Sequence, residues 1–475
     1  MPRVPSPKPK SHSWRFLTEN LPAIVSGLAR AEFDFIYSAA PTTFDYFLTY
    51  LDMAGIRPLL VECPDGRQRR SIPAVLLAET LLVRPLFGAS SLAELGPMLC
   101  TSPAVLQLLG FTAVQIEQGF RANAGRRPFD EEALANWAAG VEGEDWFSHG
   151  LRVLERIIAF HPEYFRGATV VVDSKGVYAP AGKGGLPAVE LKACTLSLLV
   201  GGRALPLVWR LVEKHVGEVT VGKELLAHAM PLLVGAGVAE LVLDGGYIDG
   251  QWLGELHRQF GLRILIRVRE DMALSRDALG VATSPGGRWV APPAWQEAPA
   301  PKLKGKRRPL RQVLLVRELT TWEAIGQAVD ALVIRDTYPD GTVQYTVVAA
   351  IGHQQDDPLA LLADWRGRWA IEEFFMIADR YQKLGRLFPC RKGFARTWVH
   401  FAFLAYTLLW LFDHYEPPEP LRPPRSGGDI IVITGGYFAL LRLGNFVSII
   451  LDHNDVWQGR RAEVLARLGM DPSPP

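Results

Sequence analysis

Cysteine is scarce in this chain. Cys63, Cys100, Cys194 and Cys390 are far apart in 475 residues, and no two of them form a C-x-x-C pair. That argues against a zinc site or a disulfide framework and fits a reducing, cytoplasmic setting. An excess of charge is also missing: 51 Lys and Arg stand against 50 Asp and Glu, for a formal net charge of +1. Any polyanionic partner must therefore be met by local clusters of cations and not by the overall sum. Long apolar runs are absent as well. Trp398 to Phe412 contains His400 and falls short of the roughly 20 residues a membrane span needs, and Ile430 to Leu451 is broken by Gly435, Gly436, Arg442 and Asn445. Both read as buried helices. The opening MPRVPSPKPKSHSWRF has prolines and basic residues without an apolar h-region, so residues 1–15 read as a disordered basic tail and not as a signal peptide. No internal repeat or heptad pattern occurs.

A composition of 48% hydrophobic and 21% charged residues belongs to a globular protein, and the length predicts two or three domains. Residues 16–165 read as an N-terminal helical region and a candidate DNA-binding element. Within it Leu59 to Arg69 reads as a short strand and turn, and Ile72 to Arg84 as an apolar helix. Ser91 to Met98 and Pro103 to Leu109 read as two short helices around a tight turn, either a helix-turn-helix or a pair that merely packs together. Glu131 to Ala138 and Glu144 to Phe160 complete this region, with His161-Pro162 as the stop. Residues 166–270 change character. The β-branched run Thr169 to Val172 reads as a buried strand ending at Asp173, followed by a glycine-rich loop carrying Lys175. A hairpin follows, Leu191 to Leu199 and Ala204 to Trp209 about Gly201-Gly202. Then come helix Val221 to Leu233, strand Leu241 to Leu243 ending at Asp244, helix Gln251 to Phe260 and strand Leu262 to Val268. This order predicts an α/β fold with a mixed sheet covered by helices.

Beyond Arg269 the helical signal fades for about 90 residues, too long for one loop in a compact domain. Residues 271–360 read as a β-rich insertion, with strands at Gln312 to Arg317, Ala331 to Arg335 and Gln344 to Ile351 and a turn at Tyr338-Pro339-Asp340-Gly341. Its basic run, including Lys306, Arg307 and Arg308, is equally a solvated loop and a phosphate track. Residues 361–415 hold a helix from Asp364 to Arg386 and a second, apolar helix from Arg396 to Tyr415. Residues 416–475 are a proline-rich linker and a C-terminal segment. On the first helix, Trp365, Arg368, Glu372, Met376, Asp379 and Lys383 share one face. Ala370, Ile371, Phe374, Ile377, Ala378, Tyr381 and Leu384 form an apolar stripe on another.

Two carboxylates at strand ends, Asp173 and Asp244, with a glutamate from a helix on the same sheet, are candidates for chemistry. Three such groups repel one another unless cations neutralise them. Paired Mg²⁺ ions, hard cations that take oxygen ligands, are the simplest neutralising partners, and Mn²⁺ is expected to substitute. Two metals a few ångströms apart serve in-line phosphoryl displacement. Adjacent helical residues point about 100° apart, so only one of Glu372 and Glu373 can face such ions. Spacing to Arg368 selects Glu372.

VVVDSKG around Asp173, LVLDGGYID around Asp244 and WRGRWAIEEFF around Glu372 resemble the DDE triad of bacterial insertion-sequence transposases. The subgroup resembled, the IS-four-like group, has a ribonuclease H-like core with a β-rich insertion between the second Asp and the Glu. Its Glu-bearing helix carries a tyrosine, arginine, glutamate, lysine signature with two, three and six residues between members. Here Trp365, Arg368 and Glu372 keep the first two spacings, with Trp for Tyr, and Asp379 stands where the lysine is expected. The resemblance covers about Thr169 to Tyr415. It implies a DNA transposase that uses Asp173, Asp244 and Glu372 as metal-binding catalytic residues. It also implies Mg²⁺ as cofactor and double-stranded DNA as partner, both the terminal inverted repeats and the target, with a homodimer formed on DNA. In the cell such a protein would be cytoplasmic and nucleoid-associated when bound. Arg368 and Trp365 become candidate DNA contacts, with Arg380 or Lys383 reaching the region of the absent lysine. Lys175, Lys306, Arg307 and Arg308 are candidate phosphate contacts, and Trp289 a candidate for stacking on a flipped base. Two rivals remain for the same residues: a ribonuclease H-like DNA nuclease without strand transfer, and a domesticated DNA-binding relic without catalysis.

Overall fold

The computed structural model describes residues 43–67, 70–87, 89, 91–92, 94–95, 103–119, 131–292, 309–353 and 357–415. Two compact units emerge, one of residues 1–61, 67–137 and 411–475, the other of residues 62–66 and 138–410.

The described part of the first unit is helical: α1 (Thr43–Met53), α2 (Arg57–Leu60), α3 (Ala74–Val83), α4 (Pro103–Leu108), α5 (Ala113–Gln118) and most of α6 (Glu131–Ala139). Its core includes Phe47, Leu51, Leu60, Leu77 and Leu82. Arg57 ties α2 to α3, donating Nε to Glu79 Oε1 at 2.7 Å. The strand expected over Leu59 to Arg69 does not form. Pro58 sits in the first turn of α2, where its missing N–H costs nothing, and the chain after Leu60 runs through turn and irregular backbone. Of the expected helix pair, the second helix is α4; residues 93 and 96–102 of the first helix and its turn lie outside the described residues.

The second unit is built on an eight-stranded sheet in the order β3-β2-β1-β4-β5-β8-β7-β6. The strands are β1 (Thr169–Ala179), β2 (Val189–Val200), β3 (Arg203–Glu213), β4 (Glu240–Leu243), β5 (Arg263–Arg267), β6 (Leu310–Leu319), β7 (Val329–Thr337) and β8 (Val343–Ile351). β1 pairs antiparallel with β2 and parallel with β4, and β4 is parallel to β5. This 3-2-1-4-5 arrangement is that of a ribonuclease H-like α/β core. The β2–β3 hairpin turns through Gly201 and Gly202, both at positive φ (55° and 73°), which a side chain would strain.

One expectation fails beyond β5. Ala273–Thr283 forms an 11-residue helix, α10, within the segment read as lacking helix. Leu274, Ala278 and Ala282 are its buried face, a spacing that the proline and glycine density just after it obscured. The expected β-rich segment does carry three strands, β6, β7 and β8. β8 pairs antiparallel with β5, so β8, β7 and β6 extend the core sheet.

Helices cover this sheet: α7 (Gly143–Phe160) packs on β3, α8 (Glu218–Gly235) on β2 and β3, and α9 (Gly250–Phe260) borders β5. α11 (Pro358–Gly367) lies on β6 and β7, and α12 (Trp369–Gln382) on β3 and β1. α13 (Lys392–Asp413) carries the apolar run read as a buried helix. There His400 is fully buried, stacked on Trp146 with centroids 4.4 Å apart. His161 caps α7. Among the described residues no helix is long and apolar enough to cross a membrane. Cys63, Cys194 and Cys390 are buried free thiols.

Candidate active site

β1 does not stop at Asp173, as the sequence reading expected. It runs on to Ala179, paired with β2 throughout. What stops is its other neighbour. The parallel ladder with β4 ends at Val172↔Leu243, and the ladder of β4 with β5 ends at Leu243↔Ile266. Asp173, Asp244 and Arg267 each follow the last paired residue, and so form one row across three adjacent strands, roughly 4.8 Å per step. Side-chain alternation puts this row on the face that carries Val242, Leu265, Val348 and Ala350, which form a buried cluster with Leu361 and Leu362 of α11. Carboxylates are therefore delivered where the sheet opens, on the side covered by α11 and α12.

The helix expected from Asp364 to Arg386 is two helices. Its i to i+4 ladder breaks at Arg368, where Arg368 N bonds Trp365 O at 3.3 Å and Ile371 N bonds Arg368 O at 3.1 Å, a tighter turn after Gly367. Pro358 opens α11 behind Asp357, whose side chain accepts from Leu359 N at 3.0 Å. Ile371, Phe374 and Ala378 bury the expected apolar stripe of α12, joined by Phe375, whereas Tyr381 is 61% exposed. α12 ends at Gln382 because Lys383 turns left-handed (φ 55°), so Lys383 does not continue the charged face.

At the break, Arg368 binds two members of the expected triad. Its Nη1 donates to Asp173 Oδ2 at 3.2 Å and its Nη2 to Glu372 Oε1 at 3.1 Å. The guanidinium also lies 5.4 Å from the centre of the half-buried Trp365 ring. Glu373 turns elsewhere, to Arg203 at 3.7 Å. Asp173 is largely desolvated, and burial is the main cause that pushes its carboxyl up to about 6. A hydrogen bond from Ser174 N (2.7 Å) and the Arg368 charge pull it down, while the charges of Asp244 and Glu372 push it up.

Asp244 immediately precedes the turn Gly245–Tyr247, and its side chain makes no capping hydrogen bond there. A Cβ on Gly245 would sit 3.3 Å from Arg267 O, and one on Gly246 2.4 Å from Glu218 Oε2, so the two glycines permit close packing after the carboxylate. Tyr247 is buried, its hydroxyl 2.8 Å from Ser174 Oγ and 3.3 Å from Cys194 Sγ. This locks the loop after Asp244 to the opposite face of β1.

The donor chemistry, carboxylate oxygens only, fits a hard divalent cation. Among the described residues, however, no three His, Cys, Asp or Glu side chains are grouped closely enough to hold an ion. The Arg368 guanidinium takes both Asp173 and Glu372 instead.

The remaining candidates are dispersed. Lys175 Nζ pairs with Asp379 Oδ2 at 2.5 Å. Arg380 is exposed beside the Tyr381 ring, 5.6 Å from its centre. Trp289 lies under Arg335, 4.2 Å from guanidinium carbon to ring centre, and 6.4 Å from the Tyr345 ring, so one face is already engaged within its own segment. Lys306, Arg307 and Arg308 lie outside the described residues. Arg267 is not among the site residues expected from the sequence. Its signal was a cation ending the third buried strand, as Asp173 and Asp244 follow the first two.

No family model matches the chain, and no curated protein matches it. Among solved structures, a cryo-EM structure of the piggyBac transposase synaptic complex with hairpin DNA is similar to this chain at 10% identity, covering 90% of this chain and 84% of that one, with a TM-score of 0.40.

Proposed function

We propose that this protein is a DNA transposase of the DDE type, cleaving phosphodiester bonds at the ends of an insertion sequence and joining the freed 3′-OH to target DNA. The observation that carries the reading is the row: Asp173 and Asp244 end the paired parts of neighbouring parallel strands, and Arg368 links the first of them to Glu372. Asp173, Asp244 and Glu372 would hold Mg²⁺, with Arg368 leaving the carboxylates for a DNA phosphate. Bound divalent ions at such a site activate an attacking oxygen and stabilise a leaving one. The chain's own work is positional. The sheet fixes the two aspartates, the break at Arg368 presents Glu372 to them, and Tyr247 anchors the loop after Asp244.

In the first step water attacks the phosphorus at the element's end. The P–O3′ bond breaks, leaving a 3′-OH on one side and a 5′-phosphate on the other. In the second step that hydroxyl attacks a target phosphodiester, forming a new P–O bond and releasing a target 3′-OH.

The test uses purified protein, Mg²⁺ and a labelled duplex carrying the DNA that borders the reading frame, with Asp244→Ala alongside. Site-specific nicking by wild type alone, followed by joining to a second duplex, is the expected result. Cleavage without joining would make the protein a nuclease. Retarded migration without any cut, equal for both proteins, would make it a DNA-binding relic.

A further inference from the structure

The row across the sheet has a third member. Arg267 follows Ile266 of β5 as Asp244 follows Leu243 of β4 and Asp173 follows Val172 of β1. It is therefore two strands from Asp173, on the order of 10 Å away, and one strand from Asp244. Its Cβ would lie 3.9 Å from a Cβ placed on Gly245, so its stem borders the turn that holds Asp244.

Arg267 also stands where two depressions meet. One, of about 540 Å³, holds Asp244, Gly245 and Gly246. The other is an open cleft of about 1090 Å³ under α11 and α12, lined by Arg203, Arg311, Arg366, Arg368 and Trp369 among others. Most of these cations are engaged: Arg203 with Glu373 at 3.7 Å, Arg311 with Asp336 at 2.6 Å, Arg368 with Asp173 and Glu372. Arg267 is exposed, and among the described residues no carboxylate lies within ion-pair distance of it. In the same cleft Trp369 leaves 57% of its surface in solvent, unusual for the largest apolar side chain and suited to stacking on a base.

We infer that Arg267 binds a backbone phosphate of the nucleic acid strand that enters the catalytic edge, one or two nucleotides from the bond Asp173 and Asp244 act upon, with Trp369 against a base of that strand. A guanidinium suits this place because its fork meets two phosphate oxygens at once. Unlike Arg368, it forms no ion pair with these carboxylates and so leaves their charge in place. The inference rests on the function proposed above and adds a positioning residue to it.

Fluorescence anisotropy across a salt series, with the same bordering duplex, tests the contact in wild type, Arg267→Ala, Arg267→Lys and Arg317→Ala. Arg317 of β6, paired with Asp330 of β7, is the control outside the cleft. One lost phosphate contact lowers the slope of log affinity against log salt by about 0.9. Arg267→Ala should show that change and bind about tenfold or more weakly. Arg267→Lys should keep the slope while losing part of the affinity, and Arg317→Ala should match wild type. A slope in Arg267→Ala equal to wild type overturns the inference. If wild type still nicks the duplex and Asp244→Ala does not, the proposed function survives that loss. Absence of both binding and nicking in wild type sinks the function and this inference together.

Discussion

Lys175 and Asp379 form an ion pair, Nζ to Oδ2 2.5 Å, between β1 and α12. Asp379 occupies the position where the resembled signature has lysine, and the acid there is met by an ammonium two residues beyond Asp173 on the same face of β1. The pair ties the strand that carries Asp173 to the helix that carries Glu372.

Releasing Lys175 should strengthen DNA binding, and removing it should weaken binding. Asp379→Ala is expected to raise affinity for a duplex a few-fold at low salt, with the gain fading as salt screens it. Lys175→Ala should lower it. Because both side chains are partly exposed, the double-mutant coupling in folding stability should be only about 0.5 kcal/mol. Equal DNA affinity for all three proteins in anisotropy titrations would remove Lys175 from the DNA-binding set.

On the proposed function, a divalent cation would compete with Arg368 for the oxygens of Asp173 and Glu372. Arg368→Ala should therefore bind Mn²⁺ several-fold more tightly than wild type in the absence of DNA, read by electron paramagnetic resonance of free Mn²⁺. Glu372→Gln should bind it more weakly. Weaker binding in Arg368→Ala would mean that the arginine holds the carboxylates in place for the ion.

Stability should depend on pH through Asp173. Its carboxyl is raised from 3.8 to about 6 in the folded state, chiefly by burial. Between these values the folded protein binds more protons than the unfolded chain, so this contribution is full below pH 3.8 and is lost as pH rises through 6. Asp173→Asn should lack that decline and exceed wild type by on the order of 2 kcal/mol at pH 8 without divalent ions. Urea denaturation at several pH values measures it. A wild-type profile parallel to that of the variant would show that Asp173 keeps an ordinary affinity for its proton.

Gly254 lets α9 lie directly on the chain after β6. A Cβ there would sit 2.4 Å from Ile325 O, a backbone atom without freedom to swing aside. Gly254→Ala should cost about 1–3 kcal/mol despite its better helix propensity, seen as a lowered Tm. An unchanged or raised Tm would mean that the 323–325 turn relaxes freely.

The sequence by itself determined the elements that local chemistry dictates. β-branched runs made β1, β4 and β5, Gly201-Gly202 made the hairpin, and helical periodicity made α7, α8, α9 and α13, because these signals lie within a few neighbouring residues. It also determined the one-turn spacing of Arg368 and Glu372, since i and i+4 meet on any helical backbone. Tertiary structure decided the rest. That β1 continues past Asp173 depends on β2 remaining its partner after β4 departs, and that β8 joins β5 depends on hydrogen bonds between residues some 80 positions apart. The pairing of Arg368 with Asp173 spans 195 positions. Arg267 takes its place beside the aspartates only through the register of three parallel strands, and register is a property of pairing that no single strand carries in its own residues.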